Sequence, residues 1–311
     1  MTSDATSLIF VGGTGRSGTT IMGRMLNRHR KIRASKPIEI KFLAGNAGLL
    51  DLLYGRRPEA RERRNRSLHK RILSTSDFVD NILLWRKFER RLRGSWWAPE
   101  TGSGKSPGLS SGVSEEIREE ALSALKSSKR DQLESGARRF FWTMIDSQVN
   151  NFGEPIWVDT SPPNIFQAAR IYKFLPQAKF IHMKRDGRDT IASVLKEPWG
   201  PKDPMKAIFW WRNRVRESHQ ALLSIPRESY IEIYLEEFAA LDRNTQYARV
   251  LSFLDIEDDL NMREFFESEV KAERILNRNW REAFAHPAVM SKFKKIHGQL
   301  ESEGISTRLF D

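Results

Sequence analysis

The apolar positions of this chain follow two rhythms. Leu8, Ile9, Phe10 and Val11 form a continuous apolar run closed by Gly12 and Gly13, the pattern of a strand buried on both faces of a parallel sheet. Beyond it Ile21, Met22, Met25 and Leu26 recur at helical spacing, so the segment predicts strand, loop and helix. A second unit predicts helix, strand and helix. Pro162-Pro163-Asn164 opens a helix with Ile165, Ala168, Ala169 and Tyr172 on one face, and Pro176 ends it. Lys179 to Met183 ("KFIHM") then gives a strand, and "RDGRDTIASVL" turns into the next helix. Tyr230 to Tyr234 ("YIEIY") predicts a third strand, followed by a helix holding Ala248, Leu251, Phe253 and Leu254. Strands alternating with helices predict an α/β fold with a parallel sheet.

The middle of the chain has a different pattern. Arg56 to Arg93 is dense in arginine, and Ile72, Phe78, Ile82, Leu83 and Phe88 suggest helices covering the substrate side. Thr101 to Gly112 ("TGSGKSPGLSSG") predicts a mobile loop or lid, and Leu122 to Val149 returns to a helical pattern. With no internal repeat and no heptad array, the expectation is one domain, 1–311, with a helical and loop insertion at about 56–150 covering the acceptor site.

The first loop, "GGTGRSGTT", carries candidate chemistry. Glycines at 12, 13, 15 and 18 allow a tight turn with inward N–H groups, and Thr19 and Thr20 begin a helix whose N-terminus is partly positive. Gly13 and Gly18 have the spacing of the triphosphate-binding form GxxxxGK[ST], yet Thr19 stands where that form has lysine, and the nearest cation is Arg16 inside the loop. A ligand-free glycine turn is the plain alternative. In "KRDGRDTIAS", Arg185 ends an apolar strand and Ser193 follows in the first turns of the next helix, so a guanidinium and a hydroxyl can meet at a second phosphate; a charged surface turn is the plain reading there.

Composition narrows the classes. The net charge of +12 favours an anionic partner or simply a solvated basic surface. Zero cysteines exclude disulfides, thiolate zinc sites and a cysteine nucleophile. The six histidines lack metal-binding spacing and no GxSxG elbow is present, so no catalytic metal is expected. "FWWRNRVRESH" mixes rings and arginine, but Ile208, Trp211 and Val215 form one helical face, favouring a half-buried helix near the site over a nucleic-acid surface. Leu8 to Val11 is too short for a membrane span and lacks the basic flank of a signal peptide, which leads to the expectation of a soluble, cytoplasmic protein.

"GRSGTT" after a buried strand and "RDGRD…S" after a later one resemble the 5′-phosphosulfate and 3′-phosphate motifs of sulfotransferases that use 3′-phosphoadenosine 5′-phosphosulfate (PAPS). "LIFVGGTGRSGTTIMGRML" is most similar to tyrosylprotein sulfotransferases and the bacterial enzymes near them. The resemblance spans roughly residues 7 to 50 and 155 to 305. It implies a P-loop-like parallel sheet flanked by helices, PAPS as co-substrate with adenosine 3′,5′-bisphosphate as product, no metal, and a hydroxyl acceptor among small molecules, glycans or peptides. It implies that Gly15, Arg16, Ser17, Gly18, Thr19 and Thr20 cradle the phosphosulfate, with Arg16 at the bridging oxygen. Arg185 and Ser193 would hold the 3′-phosphate. Glu39, in "KPIEIKFL", stands where relatives carry a general base, with Lys41 a neighbour in the site; a surface strand alternating Glu39 and Lys41 is the other reading. Relatives' "EKTP" is "DTSP" here, so Thr160 replaces a catalytic lysine and either Lys41 or Arg16 takes its part. Relatives' "YEDL" is "LEEF", with Tyr234 one place early and facing the other way along a strand. Near the end, Arg278 is expected at the 3′-phosphate and Trp280 either on the adenine or in the core. The arginine-rich insertion hints at an anionic acceptor. A P-loop kinase of a small metabolite and a non-catalytic basic nucleic-acid-binding protein are the rival functions; the first lacks its lysine and metal aspartate, and the second would bind with a steep salt dependence.

Overall fold

The computed structural model describes residues 7–56, 77–98, 107–149, 156–275 and 280–310. Five strands, β1 (Ser7–Gly13), β2 (Ile32–Ala34), β3 (Ile156–Asp159), β4 (Lys179–Lys184) and β5 (Tyr230–Tyr234), alternate with helices. The principal helices are α1 (Thr19–Leu26), α2 (Leu49–Tyr54), α3 (Asp77–Arg93), α4 (Glu115–Ser127), α5 (Leu133–Val149), α6 (Ala168–Phe174), α7 (Gly187–Leu195), α8 (Pro204–Leu222), α9 (Arg243–Leu254), α10 (Leu260–Glu269) and α11 (Pro287–Ser302). The strands form one sheet in the order β2-β3-β1-β4-β5, and every pairing is parallel. The expected parallel α/β architecture is therefore present, with β1 at its centre.

Both faces of β1 are buried, as its unbroken apolar run requires. Leu8 and Phe10 point into one apolar layer and Ile9 and Val11 into the other. In the first layer Phe10 meets Trp157 edge-on, and Phe141 bridges Trp157 to Phe174 with centroids about 6 Å apart. The insertion joins this layer through Phe88 and Phe140, which pack with Phe42. The second layer holds Met22, Met25 and Leu26 of α1 against Val158, Ile181 and Ile233. A third cluster ties α7, α8 and α11 together through Ile191, Trp211 and Phe293.

Several expected details shift. The helix at Pro162 begins as a 3-10 turn, Pro162–Gln167, before α6, because Asn164 turns its amide onto the Asp159 carboxylate and the Val11 carbonyl. In α9 the buried face is Gln246, Tyr247, Val250 and Leu254, while Ala248 is exposed; Tyr247 sets the face by stacking on Phe266 and bonding Asp258. In α3, Leu84, Phe88 and Leu92 carry the packing and Ile82 and Leu83 are exposed; Ile72 and the side chain of Phe78 lie outside the described residues. Of the expected loop at 101–112, residues 101–106 lie outside the description, and the remainder is packed: Leu109 is buried and its N–H donates to Trp96 O. Among the described residues no helix is long and apolar enough to cross a membrane.

Candidate functional site

The loop after β1 is shaped by close approach. A Cβ at Gly13 would stand 2.3 Å from Ser17 Oγ and 2.5 Å from Met183 O, so no larger residue fits. Gly15, Arg16 and Gly18 all have positive φ (87°, 60° and 95°), a run that only glycine adopts cheaply and that Arg16 adopts at a cost of about 1–3 kcal/mol. Strain of this kind is characteristic of ligand-holding loops. Ser17 is buried and its Oγ has no partner among the described residues.

The structure brings the two sequence motifs together. Arg16 Nε donates to Ser193 Oγ at 3.0 Å, and Arg185 Nη1 donates to the Arg16 carbonyl at 3.1 Å. Arg16 also pairs with Glu197 at 3.2 Å. Residues 177 positions apart thus share one corner, at the C-terminal ends of β1 and β4. Parallel α/β sheets place their ligands at such strand ends.

The turn carrying Arg185 is held from several sides. Asp186 caps α7 by accepting from Arg188 N at 2.8 Å, pairs with the Arg188 guanidinium at 2.7 Å, and accepts from Phe310 N at 2.9 Å. Its own N–H donates to Glu236 Oε1 at 3.0 Å. Burial pushes the Glu236 carboxyl up to about 7, and its second oxygen has no partner among the described residues.

Glu39 is positioned by the loop after β3. Asp159 is fully buried and accepts from Ile40 N (2.8 Å), Asn164 Nδ2 (2.6 Å), the Ser35 hydroxyl and Ser161 N; burial still pushes its carboxyl up to about 6. Thr160 donates through both N–H and hydroxyl to Ile38 O, and Ser161 Oγ donates to Ile40 O. The residues on either side of Glu39 are thereby fixed to the end of β3. From α5, Gln148 bonds both N and O of Lys36. This segment is a pinned loop, not a surface strand. Thr160 is also pressed against α1, where a Cβ on Gly23 would meet its Cγ2 at 2.1 Å, so packing as well as hydrogen bonds hold it.

These elements enclose a cleft of about 950 Å³. The loop supplies Gly15, Arg16, Gly18, Thr19 and Thr20; Arg185, Glu39 and Leu235 join them, and Phe166, Trp199, Trp210 and Arg214 close the far wall. Lys41 lines instead a much smaller cavity, shared with Glu39 and walled by Trp96 and Leu109 of the insertion. None of the described insertion residues lines the large cleft; the insertion reaches Glu39 from behind. Tyr234 turns away from the cleft and donates to Ser306 O, leaving Leu235 beside the loop. Trp280 packs between Arg188 and Phe284 and does not line the cleft; Arg278 lies outside the described residues. Sequence reasoning missed Phe166, Trp199 and Arg214 as cleft residues. "FWWRNR" held part of the signal, because Trp210 and Arg214 are one helical turn apart and flank the buried Trp211.

A model described as the sulfotransferase family matches residues 8–259. Among solved structures the chain is similar to the sulfotransferase domain of the Synechococcus PCC 7002 olefin synthase, at 14% identity and a TM-score of 0.49, covering 97% of this chain and 95% of that one. It is also similar to a sulfotransferase from Mycobacterium avium, at 14% identity and a TM-score of 0.46, covering 97% and 78%. No curated protein matches the chain.

Proposed function

The chain belongs to the sulfotransferase family and is an enzyme of that type, and from that premise we propose that it moves a sulfuryl group from PAPS to the hydroxyl of an acceptor. The observation that carries the donor assignment is the shared corner of Arg16, Arg185 and Ser193. Two guanidinium groups and a hydroxyl at one place suit a ligand with two separate anionic groups better than a single phosphate chain.

The residues fit this donor. The loop N–H groups, the Ser17 hydroxyl and the start of α1 receive the 5′-phosphosulfate, and Arg185 with Ser193 receives the 3′-phosphate. The 3′-phosphate contact is what would distinguish this donor from ATP. PAPS supplies an activated sulfuryl group on a phosphate leaving group. Glu39 takes the proton of the acceptor hydroxyl as that oxygen bonds sulfur. Arg16 meets the negative charge left on the bridging oxygen as the old sulfur–oxygen bond breaks. With Thr160 filling the family lysine's place, Arg16, which lines the cleft, assists the transfer; Lys41 supports Glu39 from the smaller cavity.

Calorimetry with adenosine 3′,5′-bisphosphate tests the reading. Binding is expected without magnesium and is expected to weaken by about tenfold to a hundredfold in Arg185→Ala, the size of a lost charged hydrogen-bond pair. Preference for ATP with magnesium, or unchanged binding in the variant, would favour the kinase reading instead.

A further inference from the structure

We propose that the acceptor is a flat, ring-bearing hydroxyl compound carrying a carboxylate, and that Arg214 is the residue that selects it; this rests on the sulfuryl-transfer reading of the same cleft. Beyond the loop and Arg185, the charged side chains among the described lining residues are Glu39 and Arg214. Between them the surface is apolar: Pro162, Pro163 and Phe166 on one side, Trp199 and Trp210 on the other. A molecule that satisfies this lining has two polar ends and an apolar body, its hydroxyl at Glu39 and an anionic group at Arg214. A sugar, with hydroxyls all round, would leave most of them unpaired here, at a cost in affinity for each.

The wall favours a flat body. The Trp199 and Trp210 rings lie 6.1 Å apart, and Trp199 is 59% exposed, an unusual burden for an indole unless a ligand covers it. The Trp199 ring edge also stands 3.5 Å from where a Cβ on Gly15 would be, so it overhangs the loop. The Arg214 guanidinium stacks on the Phe166 ring at 4.3 Å, with Trp210 at 5.9 Å and Glu217 at 3.4 Å. Stacking uses the face of a guanidinium, whereas carboxylates meet its edge; at Arg214 the Nη1 edge meets Glu217, so an acceptor carboxylate competes with or joins that pair. Arg214 is set by α8, apart from the loop and turn that carry the donor-side arginines.

The test is binding of 4-hydroxybenzoate, 4-hydroxyphenylacetate and 3-(4-hydroxyphenyl)propionate against their neutral amides, with adenosine 3′,5′-bisphosphate present. Calorimetry and tryptophan fluorescence are the readouts. At least one acid is expected to bind about tenfold or more tightly than its amide. That preference is expected to vanish in Arg214→Gln and to persist in part in Arg214→Lys, with amide binding unchanged. trans-4-Hydroxycyclohexanecarboxylate, equally charged but not flat, is expected to bind more weakly. Equal binding of acids and amides, no binding of any probe, preference surviving in Arg214→Gln, or tighter binding of the cyclohexane compound each overturns the inference. Turnover with labelled PAPS separates the two levels. Acid-selective binding with no sulfation of any hydroxyl compound sinks the transfer reading, while sulfation without acid preference sinks only this inference.

Discussion

Three loops leave the C-terminal ends of β1, β3 and β4 side by side, and they use the same position in opposite ways. After β1 and β4 the chain sends Arg16 and Arg185 to line a cleft, while Ser17 Oγ lies buried beneath the loop without a partner among the described residues. After β3 the chain consumes its polarity internally, with the Asp159 carboxylate taking four neighbours and Thr160 and Ser161 spending theirs on Ile38 and Ile40. The first arrangement leaves charged side chains on an open surface. The second spends its donors and acceptors on the segment that carries Glu39. A cleft-lining corner and an internally bonded one can therefore sit on adjacent strands.

The largest expected effect separates Glu39 from the cleft-lining corner. Glu39→Gln is expected to reduce turnover by about a hundredfold or more while leaving adenosine 3′,5′-bisphosphate binding intact; full residual activity would remove Glu39 from the mechanism. Next, Asp159→Asn places an amide N–H against donors on one side of the network, and is expected to cost about 3 kcal/mol in urea unfolding, with lower turnover and near-normal nucleotide binding. Weaker nucleotide binding than turnover loss would mean that the β3 loop belongs to the donor corner after all.

A smaller effect tests how the β3 loop meets α1. Gly23→Ala drives a methyl into Thr160 Cγ2 and is expected to cost about 2 kcal/mol by overpacking. Adding Thr160→Ser removes that methyl, keeps the hydroxyl bond to Ile38 O, and is expected to restore most of the loss; a double mutant no better than the single one would contradict the contact. A further effect is a pH slope at the turn that carries Arg185. Glu236 keeps its proton to about 7 when folded, whereas in the unfolded chain it ionises near the usual carboxylate value. Between those values the unfolded state binds fewer protons, so stability falls as pH rises, by roughly 1.4 kcal/mol per unit for this group. Glu236→Gln, which keeps an acceptor for Asp186 N–H, is expected to lose this slope; parallel stability curves for the two proteins between pH 5 and pH 7, on the order of the window named, would show that Glu236 titrates normally.

The legibility of the fold followed the strength of local signals. β1 was plain because its apolar run is continuous, and β4 and β5 because short runs rich in β-branched and aromatic residues stand between helical patterns. β2 and β3 were not: three residues, Ile32–Ala34, carry no period, and Ile156–Asp159 ends in the buried aspartate that a composition reading assigns to a surface. Arg16, Arg185 and Ser193 stood out in the sequence because the first two follow strands within recognisable turns and Ser193 lies in the helix that the second turn opens. Phe166, Trp199 and Arg214 did not, since they come from a 3-10 turn, a loop and a helix that touch only after folding.

By itself the sequence determined what depends on near neighbours: the apolar runs that become central strands, the glycines that allow the loop after β1 to turn, and the cations placed at strand ends. Only the tertiary structure decided what depends on distant neighbours. It joined Arg16 to Ser193 at the ends of β1 and β4, fixed the Glu39 segment to β3, pressed Thr160 against Gly23, and set Lys41 in a separate small cavity. The physical reason is that a hydrogen bond or a van der Waals contact is specified by distance in space, and residues far apart along a chain acquire that distance only when the sheet between them has formed.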